Sequence, residues 1–144
     1  SLANGVIRPY ANPRTESYGM PLYHKIMPEF LLEAGYQTAL SGKWHLGMSS
    51  DEYLPSSRGF QQTYGHMNGG IDYYDHSFSG RLDWHRDNIP LVEEGYATNL
   101  IADEAIRIIE NKDKNKPLFL YVAFNAPHTP IQAEKDVMDE MMFI

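Results

Sequence analysis

The sequence predicts an α/β fold, a mainly parallel sheet flanked by helices, and three observations carry that prediction. Twice along the chain a segment with helical apolar spacing passes through a short turn into a brief strand-like run, first across residues 26–40 and again across 98–124. Helix-then-strand units in tandem favour parallel pairing, because each helix carries the chain back across the sheet. The run at 118–124 is continuously apolar and rich in aromatics, the pattern of a strand covered on both faces. At 144 residues the length alone suggests about one domain.

Taken in order, residues 1–22 are rich in Asn, Pro, Gly and Arg without helical or alternating period, and are expected to lie extended along the surface. Pro28 suits the first turn of a short helix, Phe30, Leu31 and Ala34 give it an apolar stripe, and Gly35 suits its left-handed stop. Residues 36–40, with β-branched Thr38, read as a strand ended by Ser41-Gly42. Residues 48–94 are dense in Gly, Ser, Asp, Asn, His and Tyr; a stretch of that length is expected to be a functional loop with small embedded elements. Thr98 is the expected N-cap of the next helix, with Ile101, Ala105, Ile108 and Ile109 facing inward and Asp103 and Glu104 in its first turns. A polar turn closed by Pro117 leads into the strand at 118–124. Residues 132–142 then read as a helix with Val137, Met138, Met141 and Met142 on one side.

The balance of 12 Lys+Arg against 19 Asp+Glu gives a net charge of -7. Nucleic acid and acidic membrane surfaces are therefore not the expected partners, and any anion must be met by a local basic site. With 42% hydrophobic and 22% charged residues the chain can bury a core, so bulk disorder is excluded. No apolar run approaches the roughly 20 residues of a membrane span. The opening Ser-Leu-Ala-Asn-Gly lacks an initiator Met, a basic start and an apolar signal core, so a signal peptide is expected to be either absent or already removed, a cut chain being the other reading. There is no cysteine, which excludes disulfides, thiolate metal sites and a Cys nucleophile within these residues.

In open α/β sheets, ligands bind beyond the carboxyl ends of the strands. The first predicted strand runs into Lys43-Trp44-His45-Leu46-Gly47, the second into Asn125-Ala126-Pro127-His128-Thr129-Pro130. If the strands are parallel neighbours, one lysine and two histidines face a common rim. An ammonium is a compact charge suited to an oxyanion, and imidazoles move protons near neutral pH, so together they suit an anionic ester. The plainer reading has Lys43 solvated, His45 capping a turn and His128 satisfied within its loop. A phosphate-binding loop fails, since Gln37 and Trp44 stand where Gly and Ser or Thr are needed. His66, Asp72, Asp75, His76 and His85 could be metal ligands but lack a metal-site spacing, and polar loop chemistry accounts for them better. Tyr64, Tyr73 and Tyr74, near Gly69-Gly70, could line a sugar site or pack the loop onto the domain.

The thirteen residues from Gly35 to Gly47, ending Ser41-Gly42-Lys43-Trp44-His45-Leu46-Gly47, resemble a signature of the type I sulfatases. Pro117 to Pro130 resemble a second active-site strand and loop of that family. Between them, Leu54-Pro55-Ser56-Ser57-Arg58-Gly59-Phe60 and Gly69-Gly70-Ile71-Asp72-Tyr73-Tyr74 resemble the arylsulfatase B type. The resemblance spans nearly the whole chain. It implies an alkaline-phosphatase-like α/β sandwich and hydrolysis of a sulfate monoester, on a glycan by the arylsulfatase B-like loop. By matched position it implies that Lys43 binds a sulfate oxygen and that His45 holds or deprotonates a formylglycine hydroxyl. His128 bonds the bridging oxygen and assists the leaving alcohol, and Asp72 joins Lys43 and His128 in binding substrate.

The departures are equally specific. The family's Cys/Ser-x-Pro-Ser/Ala-x-Arg segment, source of the formylglycine, does not occur upstream of Gly42, and in the similar Leu54 to Arg58 stretch Tyr53 stands at the nucleophile position. The paired aspartates for calcium and a later Asp-Asn pair and lysine are missing as well. Residues 1–144 are therefore expected to be an internal part of a sulfatase catalytic domain, inactive alone, with calcium ligands and formylglycine supplied from outside. A non-catalytic sulfoglycan-binding module is the alternative. A phosphoester hydrolase of the same superfamily is disfavoured by the Gly-Lys-Trp-His form. A periplasmic or secreted location is expected, with a lysosomal one as the alternative.

Overall fold

A computed structural model of the chain describes residues 19–141; the expected extended segment at 1–18, and Met142, lie outside the described residues. Helix α1 covers Met27–Glu33, strand β1 Gln37–Gly42, β2 Gln62–Gly65, β3 Ser77–Phe78, β4 Arg81–Leu82, β5 His85–Arg86, β6 Ile89–Pro90, α2 Ala97–Asn111, β7 Leu118–Ala123 and α3 Lys135–Met141. The main sheet has the order β6-β5-β2-β1-β7, and β3 and β4 form a separate hairpin. Its core is parallel: β1 pairs with β2 on one side and with β7 on the other. The short β5 and β6 extend it antiparallel. Among the described residues no helix is long and apolar enough to cross a membrane.

Alternation along the strands builds two cores. On one face Tyr64, Ile71, Tyr73 and Trp84 pack with Ala97 and Ile101 of α2. On the other, Leu40, Trp44, Phe60 and Met67 pack with Phe119 and Ala123. Ser41 continues β1 past its expected end because its hydroxyl donates to the Ile101 carbonyl at 2.7 Å, satisfying a fully buried polar group. Gly42 then takes φ +117°, and a Cβ there would lie 1.9 Å from the Ala123 carbonyl oxygen. Glycine is required where β1 and β7 leave the sheet side by side.

Several expectations are corrected. The run at 118–124 does pack apolar side chains on both faces, but β7 is only half-buried, with Tyr121 48% exposed. Among the described residues it pairs with β1 alone and forms the sheet edge. In α1 the expected stripe is not the buried face: Phe30 is exposed beneath the Lys25 ammonium, Ala34 is exposed and Leu31 is half-buried, and Pro28 is the buried residue. Thr98 is not the N-cap of α2. The helix begins at Ala97, whose amide donates to the Tyr73 carbonyl at 2.8 Å, so tertiary structure replaces a side-chain cap. Within α2, Ile109 is exposed and Glu104 is buried in its stead. Helix α3 starts three residues later than expected at Lys135 and buries none of its side chains. Gln132 is drawn off to hydrogen bond with the Tyr73 amide and Asp72.

Candidate active site

The three parallel strands end at one rim. The register places Gly42 opposite Ala123, and the Lys43 amide donates to the Ala123 carbonyl at 2.8 Å. Lys43 and His45 therefore emerge beside the loop that carries His128, and β2 delivers His66 to the same edge. The next residues knit the loops together: the Trp44 amide donates to the His66 carbonyl at 2.9 Å and the His45 amide to the Met67 carbonyl at 3.0 Å. The Trp44 indole is buried and donates to the carbonyls of Gly47 and Tyr53. Trp44 thus anchors a loop whose neighbours on either side, Lys43 and His45, are partly exposed.

His45 sits at φ 58°, a left-handed conformation costly for a residue with a Cβ and commonest where surrounding contacts hold a functional side chain in place. Burial pushes its imidazole down to about 4, and Lys43 and His128 push the same way, so the ring is neutral at pH 7. Burial also lowers the Lys43 ammonium from its ordinary value. His128 is exposed, and its Nδ1 lies 2.7 Å from the Thr129 carbonyl. A carbonyl only accepts, so Nδ1 carries the hydrogen and Nε2 is left to exchange a proton. The Tyr73 hydroxyl donates to the His128 carbonyl at 3.0 Å, and the peptide bonds before Pro127 and Pro130 are both cis.

Beside His128 opens a cleft of about 640 Å³, lined by Asp72, Ser77, Phe78, Ser79, Thr129 and Pro130 among others. Asp72 borders this space, yet its carboxylate also brackets the loop: Oδ1 accepts from the amides of Tyr74 and Asp75, and Oδ2 from the Gln132 amide nitrogen.

The five polar residues weighed as metal ligands are dispersed. His66 is buried with Nδ1 3.0 Å from the Asn68 carbonyl, and burial pushes it down to about 3. His76 stacks on Trp84 and bonds the Gly95 carbonyl, Asp75 accepts from the Ser77 amide, and His85 Nδ1 lies 3.5 Å from Asp83. Among the described residues no three His, Asp or Glu side chains gather as a metal would require. Two tyrosines do packing work with their rings: Tyr64 meets Trp84 edge-on and Tyr73 stacks on Tyr96. The Leu54 to Arg58 stretch is likewise structural. Buried Arg58 donates to the carbonyls of Met20 and His24.

One residue of consequence escaped the sequence reading. Asp83 is 3% exposed; its carboxylate accepts from the Met67 amide at 3.0 Å and from the amide and side chain of Asn68 at 2.9 Å each. It thereby fixes the turn beneath the two imidazoles. An isolated Asp among apolar Leu82 and Trp84 is its sequence signal.

A family model described as Sulfatase matches residues 5–142. Arylsulfatase J of Mus musculus is 35% identical over 140 residues, covering 92% of this chain and 23% of its own length. An N-acetylglucosamine-6-O-sulfatase of Bacteroides thetaiotaomicron is 42% identical over 105 residues, covering 70% of this chain and 16% of its own length. The crystal structure of Ps i-CgsB in complex with k-i-k-neocarrahexaose superposes with a TM-score of 0.77 at 30% identity, covering 92% of this chain and 33% of that one. The chain thus spans a quarter or less of the two curated relatives, and its sheet is part of the alkaline-phosphatase-like fold. With the Gly-Lys-Trp-His loop at the rim of that sheet, the matches have one meaning: the chain belongs to the sulfatase family.

Proposed function

We propose that this chain supplies the sulfate-gripping and proton-handling part of a sulfuric ester hydrolase. The observation that supports it most directly is the convergence of Lys43, His45 and His128 from adjacent parallel strands onto one rim beside an open cleft. Cleaving R–O–SO3⁻ at the S–O bond sends the bond's electron pair to the leaving oxygen, which must gain a proton. Lys43 is placed to neutralise a non-bridging sulfate oxygen. His128, with Nδ1 hydrogen held by Thr129, delivers or receives the proton through Nε2. His45, neutral at pH 7, is the proton acceptor of the pair.

In full-length relatives the family implies calcium and a formylglycine nucleophile. The described residues do not fit calcium, which takes six to eight oxygen ligands. Among the described residues no three His, Asp or Glu side chains gather as such a site would require. We assign both groups to segments outside residues 19–141.

The leaving alcohol is assigned to the cleft beside His128. Its mixture of hydroxyls, Asp72 and Phe78 suits a sugar, with polar groups for its hydroxyls and an apolar side chain for its ring face. The names of the Bacteroides relative and the Ps i-CgsB complex, one a sulfated-hexosamine enzyme and the other an oligosaccharide complex, agree with a sulfated glycan. A periplasmic or secreted location suits such a substrate, a lysosomal one being the alternative. The test is sulfate release from 4-nitrophenyl sulfate and from sulfated hexosamines by the full-length protein. Turnover lowered about 10²–10³-fold by Lys43→Met supports the reading, and turnover unchanged by it overturns it. The 144-residue chain alone is expected to release no sulfate; release by it would refute the division of labour.

A further inference from the structure

Behind the two imidazoles runs Gly69-Gly70. A Cβ built on Gly69 would stand 2.5 Å from both Cε1 and Nε2 of His45, and one built on Gly70 would stand 2.5 Å from Nδ1 of His128. Both glycines are buried, and neither has a positive φ. Their backbone is therefore open to any residue, and the close approach of the rings is what requires glycine. The segment cannot easily retreat. Asp83 holds Met67 and Asn68 just before it, and the Asn125 side chain donates to the Ile71 carbonyl just after it at 3.4 Å.

We propose that Gly69 and Gly70 are positioning residues that seat the imidazoles separately, Gly69 setting His45 and Gly70 setting His128. The inference rests on the reading of those histidines as the proton-handling pair. Its chemical consequence is asymmetry. An Ala at 70 displaces the ring that serves the leaving oxygen, so its cost grows as the leaving alcohol becomes more basic. An Ala at 69 displaces His45, so its cost is the same for good and poor leaving groups. It also moves the acidic limb of the pH profile, because His45 then sits differently against Lys43, His66 and His128, the cationic and titratable groups around it.

The experiment compares Gly69→Ala and Gly70→Ala in the full-length protein, measuring kcat/KM for 4-nitrophenyl sulfate and an alkyl or sugar sulfate across pH. A ring displaced by about an ångström costs on the order of 100-fold. Gly70→Ala is expected to lose about 100-fold on the sugar sulfate and only a few-fold on the nitrophenyl ester. Gly69→Ala is expected to lose a similar factor on both. Equal losses on both substrates with unmoved pH limbs in both variants, or no loss, overturn the proposal. Should an alanine variant also lower the melting temperature, the pairs Gly70→Ala/His128→Ala and Gly69→Ala/His45→Ala decide. No further loss once the ring is gone supports the seat; a persisting loss overturns it. If His45→Ala and His128→Ala themselves keep full turnover, it is the functional reading that fails. The seat is then read from the rate of His128 acylation by diethyl pyrocarbonate, which Gly70→Ala must change.

Discussion

Two charged clusters a few residues from the sheet illustrate opposite solutions. At Glu104, which is 6% exposed, the charges are matched within the chain. Arg86 bonds its Oε1 at 2.8 Å, and Arg107 bonds Oε1 at 2.6 Å and Oε2 at 2.8 Å. Burial would raise this carboxyl, but the two guanidiniums outweigh it and hold it below the usual glutamate range. At the rim, Lys43 stands beside two imidazoles, and among the described residues no carboxylate pairs with it. The first cluster is complete as folded and braces α2 against β5. The second leaves its cation unmatched among the described residues and holds His45 in a strained backbone, and under the proposed function that unmatched charge is what a sulfate would meet. Matched charge marks a brace, whereas on the proposed function the unmatched and partly buried charge marks an anion site.

The sharpest way to break that contrast is to remove one member of each cluster. Lys43→Met in the full-length protein is expected to lower kcat/KM for a sulfate ester by 10²–10³-fold, or about 3–4 kcal/mol of transition-state stabilisation. It should not lower the unfolding free energy, because it breaks no ion pair. Glu104→Ala should do the reverse, costing about 1–2 kcal/mol of stability by stranding two half-exposed arginines while turnover stays within about twofold. Denaturant unfolding beside steady-state kinetics decides, and a Lys43 variant that loses stability instead of activity contradicts the assignment.

The next effect is smaller and depends on pH. His45 and His66 are depressed to about 4 and about 3 from 6.5. Below pH 6.5 the unfolded chain therefore binds protons that the folded site refuses, so stability is full above 6.5 and falls as the pH drops from there toward 4. Each group contributes a slope of at most about 1.4 kcal/mol per pH unit. His66→Asn, whose side-chain amide can keep the bond to the Asn68 carbonyl, should remove one such slope, worth about 1 kcal/mol between pH 6 and 5. Unfolding free energies that run parallel for the two proteins over that range would rule the effect out.

How much of this was legible depended on whether the signal was local. The ends of β1 and β7 could be read because apolar runs with turn residues announce strands, and strand ends in α/β sheets announce sites. Strand β2 could not: Gln62–Gly65 is too short for a period, so the 48–94 stretch read as loop and the third strand of the rim went unseen. Inward Glu104 and outward Ile109 invert the helix pattern because Arg86, 18 residues away, makes the carboxylate tolerable. Thr98 lost the N-cap to a carbonyl supplied by Tyr73. Gly69-Gly70 was visible as a motif, but its reason, two rings arriving from separate strands, is a fact of three dimensions.

The smallest predicted effect tests whether burial or distance does the sorting. Lys135 and Asp139 on α3 approach to 2.6 Å, as close as Arg107 does to Glu104. Their side chains are 84% and 54% exposed, however, and Lys lies N-terminal to Asp, the weaker order for an i,i+4 pair. Water screens the attraction, and ordering two long side chains offsets much of it. Asp139→Ala should therefore change the unfolding free energy by no more than about 0.3–0.5 kcal/mol, and 1 M salt should erase even that, the Debye length falling to about 3 Å. A loss as large as that of Glu104→Ala, persisting in salt, would mean that contact distance alone sets the worth of a charge pair. The energetic distinction between a matched buried cluster and an exposed one would then fall with it.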